Sequence, residues 1–279
     1  MTKVALITGG AGGIAARLAP RLQARGYRLL LVDVDAARLA AAADVSGPGT
    51  AHLAADLSTA AGRACVVEAI AAEPALDLLV NAAGIVEPGS VAALDGDALE
   101  RHIAINLLAP MRLSQAAARA FVPRGRGCIL SLVSVAGLVA LPGSAAYSAS
   151  KFGLRGFQIA LSEELAGSGV RVRGVFPGAV DTPMLRHEAT HGGSVLNFLN
   201  RDVLSADAVA EVCLRAIDGT RLETFLPAGD GWSARLLSAW PGLLPRLMPL
   251  LRRQGEAGLQ RFLQSRGLTA APRDDSPPT

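Results

Sequence analysis

Apolar residues in this chain fall in short unbroken runs rather than in alternation with polar ones. Val4-Ala5-Leu6-Ile7, Leu29-Leu30-Leu31-Val32 and Cys128-Ile129-Leu130-Ser131-Leu132 are examples. Such runs mark strands covered on both faces. They predict strands at 3–7, 27–32, 50–54, 76–80, 127–132 and 170–176. Longer Ala-rich stretches between them predict helices around 13–25, 36–43, 60–72, 97–120 and 148–167. A further helix near 206–217 and a strand near 222–227 complete the pattern. Strand–helix alternation with right-handed crossovers predicts an α/β domain built on a doubly wound parallel sheet. Ligand-binding residues then belong on the loops beyond the carboxyl ends of the strands. Residues 184–202 interrupt the alternation around Gly192-Gly193 and read as a mobile lid or substrate loop.

Composition narrows the class. The 279 residues are 51% hydrophobic, 18% charged and 4% aromatic, which excludes intrinsic disorder and suits helices packed on a parallel sheet. Residues 1–230 read as one catalytic domain, with no internal repeat and no second domain. Residues 231–267 form a Leu/Arg/Pro-rich appendix, and 268–279 read as a disordered tail. Seven of the arginines follow residue 231, against Glu256, Asp274 and Asp275. The net charge of +3 therefore becomes +4 in the appendix and tail and −1 elsewhere, which gives no support to nucleic-acid binding by the main domain. Cys65, Cys128 and Cys213 lack metal-ligand spacing and read as reduced thiols. With no leader-like N-terminus and no apolar run of membrane-spanning length, the expected setting is the cytoplasm.

Candidate chemistry begins at Thr8-Gly9-Gly10-Ala11-Gly12-Gly13-Ile14-Ala15, which follows the first strand and opens a helix. Gly9, Gly12, Gly13 and Ile14 are placed to let a pyrophosphate approach backbone amides at the helix N-terminus. Asp33 lies twenty residues beyond Gly13, at the end of the second aliphatic run. A carboxylate there accepts hydrogen bonds from ribose hydroxyls and repels a 2′-phosphate. No Arg or Lys lies between Gly9 and Gly13, so NAD is favoured over NADP, with Arg38 as a nearby modifier.

Tyr147 and Lys151 are four residues apart, which on a helix puts both on one face. An ammonium beside a phenol favours the phenolate and lowers its pKa. Ser134, thirteen residues before Tyr147 and just past a predicted strand, is placed to polarise a carbonyl that the tyrosine protonates.

With these motifs in order along residues 3–230, the chain resembles the short-chain dehydrogenase/reductase family. Further matches are Asp56-Leu57 after the third strand, Asn81-Ala82-Ala83-Gly84 after the fourth and Asn106 in Ile105-Asn106-Leu107. Pro177-Gly178 with Val180, and Thr182-Pro183, complete the set. The resemblance implies a Rossmann-like sheet of seven parallel strands and a tetrad of Asn106, Ser134, Tyr147 and Lys151. In it Tyr147 is the general acid/base and Lys151 lowers its pKa and binds the nicotinamide ribose. Ser134 stabilises the substrate oxygen, and Asn106 holds a water in a proton relay. Asp56 and Leu57 meet the adenine; Asn81, Ala83 and Gly84 also line the cofactor. Pro177, Gly178, Val180 and Thr182 hold the nicotinamide end. Ala15, Ala82 and Val133 depart from the family pattern without removing a tetrad member. Association into a homodimer or homotetramer through the helices near 97–120 and 150–167 is also implied.

His187-Glu188-Ala189-Thr190-His191 fits a zinc-protease pattern, but Gly192-Gly193 leaves it barely a turn of helix. It reads as polar decoration of the substrate loop, with no metal. Leu138, Val139, Leu141 and Pro142, with Met184, Leu185, Val195, Leu196, Phe198 and Leu199, predict an apolar pocket. That pocket suits a hydrophobic alcohol or ketone. The appendix, with Trp232, Trp240 and several arginines, reads as a peripheral membrane contact, a lid over the pocket or a subunit contact. Pro241, Pro245 and Pro249 argue against one continuous helix. The expected activity is NAD-preferring interconversion of a secondary alcohol and its ketone. The alternatives are a non-catalytic dinucleotide sensor or scaffold, or an epimerase or dehydratase that retains its cofactor.

Overall fold

A computed structural model describes residues 3–200 and 202–269. Seven strands form one sheet: β1 (Lys3–Thr8), β2 (Tyr27–Asp33), β3 (Ala51–Ala54), β4 (Leu76–Asn81), β5 (Gly127–Leu132), β6 (Val170–Pro177) and β7 (Glu223–Leu226). The spatial order is β3-β2-β1-β4-β5-β6-β7, and every neighbouring pair is parallel. The expected Rossmann-like α/β fold is therefore present, in a single domain.

Both sheet faces are covered, which explains the unbroken aliphatic runs. On one face α1 (Ala15–Ala24), α2 (Ala36–Ser46) and α8 (Ala206–Asp218) bury Leu18, Leu22, Leu39, Val209 and Ile217 against Ile7, Leu31 and Leu130. On the other, α3 (Ala60–Ala71), α5 (Ala109–Phe121) and α6 (Ala145–Glu164) bury Val66, Ile70, Leu113, Phe121 and Leu161 against Val4, Leu6, Leu79 and Ile129. Side chains cap the helices where the chain turns off the sheet: Asp35 accepts the N–H of Arg38, and Thr59 that of Gly62. The strand order reverses between β1 and β4, which opens a crevice above their carboxyl ends.

The structure refines three expectations and overturns the first of them. The stretch 97–120 is not one helix. It divides into α4 (Gly96–Ile103), a π-turn over Ala104–Leu108 and α5. Residues 184–202, expected as a mobile lid or substrate loop, contain most of α7 (Pro183–Thr190) and a 3₁₀ turn over Val195–Phe198. Both dock on the C-terminal helix α10 (Leu244–Arg266) through a cluster of Leu185, Ala189, Phe198, Leu259, Phe262 and Leu263. Phe198 and Phe262 meet with ring centroids 5.2 Å apart. The approach requires Gly258 on α10, because a side chain there would strike the Phe198 carbonyl oxygen.

The third concerns the prolines, which were expected to prevent one continuous helix in the appendix. The appendix does fold as two helices, α9 (Ala228–Ala239) and α10, separated by a 3₁₀ turn over Pro241–Leu243. Pro245 sits in the first turn of α10, where its missing N–H costs nothing, yet the helix runs on through Pro249. Ala234 and Leu237 of α9 and Leu244 and Leu251 of α10 line a cavity at the end of the sheet, so the appendix roofs that cavity. Trp232, Leu236 and Trp240 are exposed at four-residue spacing on α9. Among the described residues no helix is long and apolar enough to cross a membrane. Most of the expected tail, 270–279, lies outside the described residues.

Candidate active site

The glycine turn is shaped for backbone approach. Gly9 has φ +67°, and a side chain on it would lie 2.8 Å from the Ala83 backbone, so the β1 turn and the loop after β4 pack face to face. Buried Thr8 bridges the two loops, its hydroxyl accepting the N–H groups of Ala82 at 3.1 Å and Ala83 at 3.2 Å. Ile14 supplies no side-chain cap to α1, whose Ala16 and Arg17 N–H groups instead donate to the Gly12 and Ile14 carbonyls at 2.9 and 3.1 Å. The carboxylate of Asp33 fixes the rim: it accepts from Ala11 N at 3.0 Å and from Val34 N at 2.8 Å. Arg38 donates to the Ala11 carbonyl at 3.1 Å, so a carboxylate and a guanidinium flank one loop.

These groups line a trough of about 340 Å³. It brings together Gly9, Gly12, Gly13, Ile14, Asp33, Asp56, Leu57, Ala83, Gly84 and Thr182, as the sequence predicted. Arg38, Ala82, Ile85, Ile105 and Met184 line it too, and only Arg38 had been considered as a cofactor contact. Asn81 does not reach it. That residue is buried beneath the loop, donating to Ser114 Oγ at 3.2 Å and Ser131 Oγ at 3.3 Å, and it braces β4 against its neighbours.

A second cavity, of about 310 Å³, adjoins the trough and shares Ile14, Ala82, Gly84, Thr182 and Met184 with it. Ser134, Tyr147, Lys151, Pro177, Gly178 and Val180 line this cavity, with apolar walls from Val139, Leu141, Leu185, Leu196 and Leu199. Tyr147 stands in the first turn of α6 and Lys151 one turn on, so the four-residue spacing does place them together. The Lys151 Nζ lies 5.6 Å from the Tyr147 ring centroid. Ser134 hydrogen-bonds Tyr147 and favours the phenolate. Its own backbone is held at φ 156° and ψ 159°, a region rarely occupied by residues with side chains, and its Oγ accepts the N–H of Ala136 at 3.1 Å.

One electrostatic expectation changes. Burial raises the Tyr147 pKa, Glu188 raises it further, and only the Ser134 bond opposes them. Lys151 is not among the groups that lower it. Burial also brings the Lys151 pKa down to about 8, so the ammonium loses its proton before the buried phenol ionises; at neutral pH it donates to the Leu132 carbonyl at 2.9 Å. Asn106, inside the π-turn, uses both amide hydrogens on protein partners, the Ile85 carbonyl at 2.9 Å and Ser150 Oγ at 3.2 Å. Its Oδ1 accepts from Ile85 N at 2.9 Å. The side chain thus braces the β4 loop against α6 through both amide hydrogens. It still closes the site: a methyl added to Gly84 would lie 3.3 Å from Asn106 Oδ1 and 3.8 Å from Lys151 Nζ.

The His187-Glu188-Ala189-Thr190-His191 segment does form helix, in α7. The His187 and His191 rings stack on one another at 4.1 Å on the exposed side, while Glu188 points inward and lines the second cavity. Among the described residues no three His, Cys, Asp or Glu side chains gather as a metal set. Sequence reasoning missed Glu188 as a lining residue, although its spacing from Leu185 and Ala189 puts it on the apolar face of α7.

A family model described as short chain dehydrogenase matches residues 3–192. The chain belongs to the short-chain dehydrogenase family. Among this dehydrogenase's relatives is D-threitol dehydrogenase of Mycolicibacterium smegmatis, 38% identical over 194 residues, covering 68% of this chain and 74% of the relative. Momilactone A synthase of Oryza sativa subsp. japonica is 31% identical over 233 residues, covering 82% and 84%. A short-chain dehydrogenase from Sphingobium yanoikuyae, solved in complex with NADPH, superposes with a TM-score of 0.75 at 32% identity, covering 87% of this chain and 95% of that one. The bulky-bulky ketone specific alcohol dehydrogenase from Comamonas testosteroni gives 0.73 at 26% identity, covering 87% and 94%. Membership makes the chain an oxidoreductase that uses a nicotinamide dinucleotide, and the trough fits one. Its glycine wall has room for a pyrophosphate, its rim carries the Asp33 carboxylate, and Gly84, beside Lys151, stands where it meets the second cavity.

Proposed function

We propose that this dehydrogenase interconverts a hydrophobic secondary alcohol and its ketone, preferring NAD to NADP. The observation that carries the reading is that Ser134, Tyr147 and Lys151 together line an apolar cavity that adjoins the dinucleotide trough. A nicotinamide dinucleotide in the trough supplies or accepts the hydride. Gly9, Gly12, Gly13 and Ile14 would hold its pyrophosphate, Asp33 the adenosine ribose, Asp56 and Leu57 the adenine, and Pro177, Gly178, Val180 and Thr182 the nicotinamide end.

The remaining work falls to the chain's own residues. Tyr147 Oη exchanges a proton with the substrate oxygen, and Ser134 Oγ donates to that oxygen as charge develops on it. Lys151, fixed by the Leu132 carbonyl, reaches toward the ribose and keeps a cationic donor beside the phenol. Val139, Leu141, Leu185, Leu196 and Leu199 exclude water and orient an apolar substrate. The NAD preference rests on Asp33, whose carboxylate is held at the trough rim by Ala11 and Val34 and disfavours a 2′-phosphate there. Exposed Ile103, Leu108, Phe152 and Ile159 on the α4–α5 region and α6 support association of copies through those helices.

A panel of lipophilic secondary alcohols assayed with NAD and NADP by absorbance of the reduced nicotinamide tests the reading. Stoichiometric NADH formation with at least one alcohol is expected. Nucleotide bound but never reduced, across the panel, would count against an oxidoreductase and favour a sensing role.

A further inference from the structure

The substrate cavity contains a carboxylate for which the chemistry above has no use. On α7 the inward face consists of Leu185, Glu188 and Ala189. The two apolar members pack on Phe198, Leu259 and Phe262, whereas Glu188 borders the cavity that contains Tyr147. It is 8% exposed. Its Oε1 accepts one hydrogen bond, from Asn197 Nδ2 at 3.2 Å, and Asn197 lines the same cavity. Among the described residues no arginine or lysine pairs with it. A carboxyl group at a position that leucine would fill carries a desolvation cost with little local return. Burial raises its pKa to about 7, and its charge is felt at Tyr147. Buried, weakly partnered acids of this kind beside a reacting group are typical of ligand contacts.

We infer that Glu188, steadied by Asn197, is a second polar anchor that accepts a hydroxyl group of the substrate distinct from the one oxidised. This rests on the oxidoreductase reading and sharpens it: the substrate class is a hydrophobic diol or hydroxyketone. A hydroxyl is favoured over an ammonium because Lys151 already lines the cavity, and a second cation in this low-dielectric space would be repelled by it. A hydroxyl can be accepted by the ionised carboxylate, and exchanged for a carbonyl contact when the carboxyl is protonated.

Calorimetric titration of the NAD⁺-loaded protein with 2-decanone and its monohydroxylated analogues tests the inference without requiring turnover. At least one hydroxyketone is expected to bind about tenfold or more tightly than 2-decanone. Glu188→Leu should reduce that ratio to below about twofold, chiefly through weaker binding of the hydroxyketone. If Glu188 merely tied α7 to the 195–198 turn, both ligands would weaken in parallel and the ratio would persist. Should the leucine variant fail to fold, Glu188→Gln decides: the ratio falls at least about threefold, and an unchanged ratio overturns the anchor. The inference is equally overturned if the wild-type protein shows no hydroxyketone preference, or binds an amino analogue better than every hydroxyketone. Oxidation of 2-decanol and of the matching diols is measured separately. A hydroxyketone preference without any oxidation would sink the oxidoreductase reading and leave the anchor standing.

Discussion

Lys151 donates a 2.9 Å hydrogen bond to the carbonyl of Leu132, joining the helix that carries Tyr147 to the strand end that leads into Ser134. Its ammonium is buried, so the folded state holds the proton less well than the unfolded chain does, with a pKa of about 8 against 10.5. Between those values the unfolded state binds more protons, and stability from this group rises with pH. The thermal midpoint of wild type relative to Lys151→Met should therefore improve from pH 8 to 10.5. A difference that stays flat across that window would show that burial does not depress this lysine.

Glu188 titrates in the opposite sense. Its folded pKa of about 7 exceeds the ordinary 4.5, so the stability of the protonated form is fully present below pH 4.5 and lost as pH rises through 7. Glu188→Gln should match wild type in thermal stability at low pH and exceed it above neutrality, with the gap opening between 4.5 and 7. Parallel melting curves at every pH would contradict the burial cost assigned to this carboxyl.

Removing the phenolic oxygen with Tyr147→Phe should lower kcat by about a hundredfold or more, the usual range for a lost general acid/base. Cofactor affinity, measured by fluorescence titration with NADH, should stay within about twofold of wild type. Turnover that survives the substitution would remove Tyr147 from its role.

At the other end of the trough, Asp33→Ala removes the carboxylate that faces a 2′-phosphate, and with it the anchor on Ala11. The ratio of NAD to NADP dissociation constants should move toward unity, with Arg38 then free to meet the phosphate. An unaltered ratio would assign cofactor choice to some other group.

Truncating the ring that pins α10 to the 195–198 turn is also informative. Phe262 is buried against Phe198, and Phe262→Ala should cost about 3 kcal/mol in denaturant unfolding. The same change should raise KM for substrate more than for NAD, because Leu185 and the 195–198 turn that Phe262 supports line the substrate cavity and not the trough. Equal effects on both would mean that α10 steadies the whole domain rather than that wall.

The sheet was legible because its strands are buried on both faces: Leu29-Leu30-Leu31-Val32 could be read as a strand from its apolarity alone. The nearness of the candidate acid/base residues was legible because it follows from local spacing, as with Tyr147 and Lys151 four residues apart on one helix. What escaped was tertiary. Nothing between 97 and 120 distinguishes the π-turn at Asn106 from ordinary helix, since a widened turn is set by the bonds to Ile85 and Ser150 across the fold. Asn81 was assigned to the cofactor by position in a motif, while its side chain turns down toward Ser114 and Ser131. Glu188 was obscured by the histidines around it, though its place between Leu185 and Ala189 was a usable signal. The prolines were a fair guide to the break before α10 and a poor one at Pro249, where packing of the helix body outweighs one missing N–H.

The roof formed by α9 and α10 separates two kinds of inheritance within one polypeptide. The residues proposed to handle the proton stand just past β5 and on α6, whereas the opposite walls of the chamber come from stretches that follow β6. Substitutions confined to the last third of the chain can therefore retune which molecules are admitted while the reacting hydroxyls keep their places. Selectivity here is free to drift under selection at a different pace from chemistry.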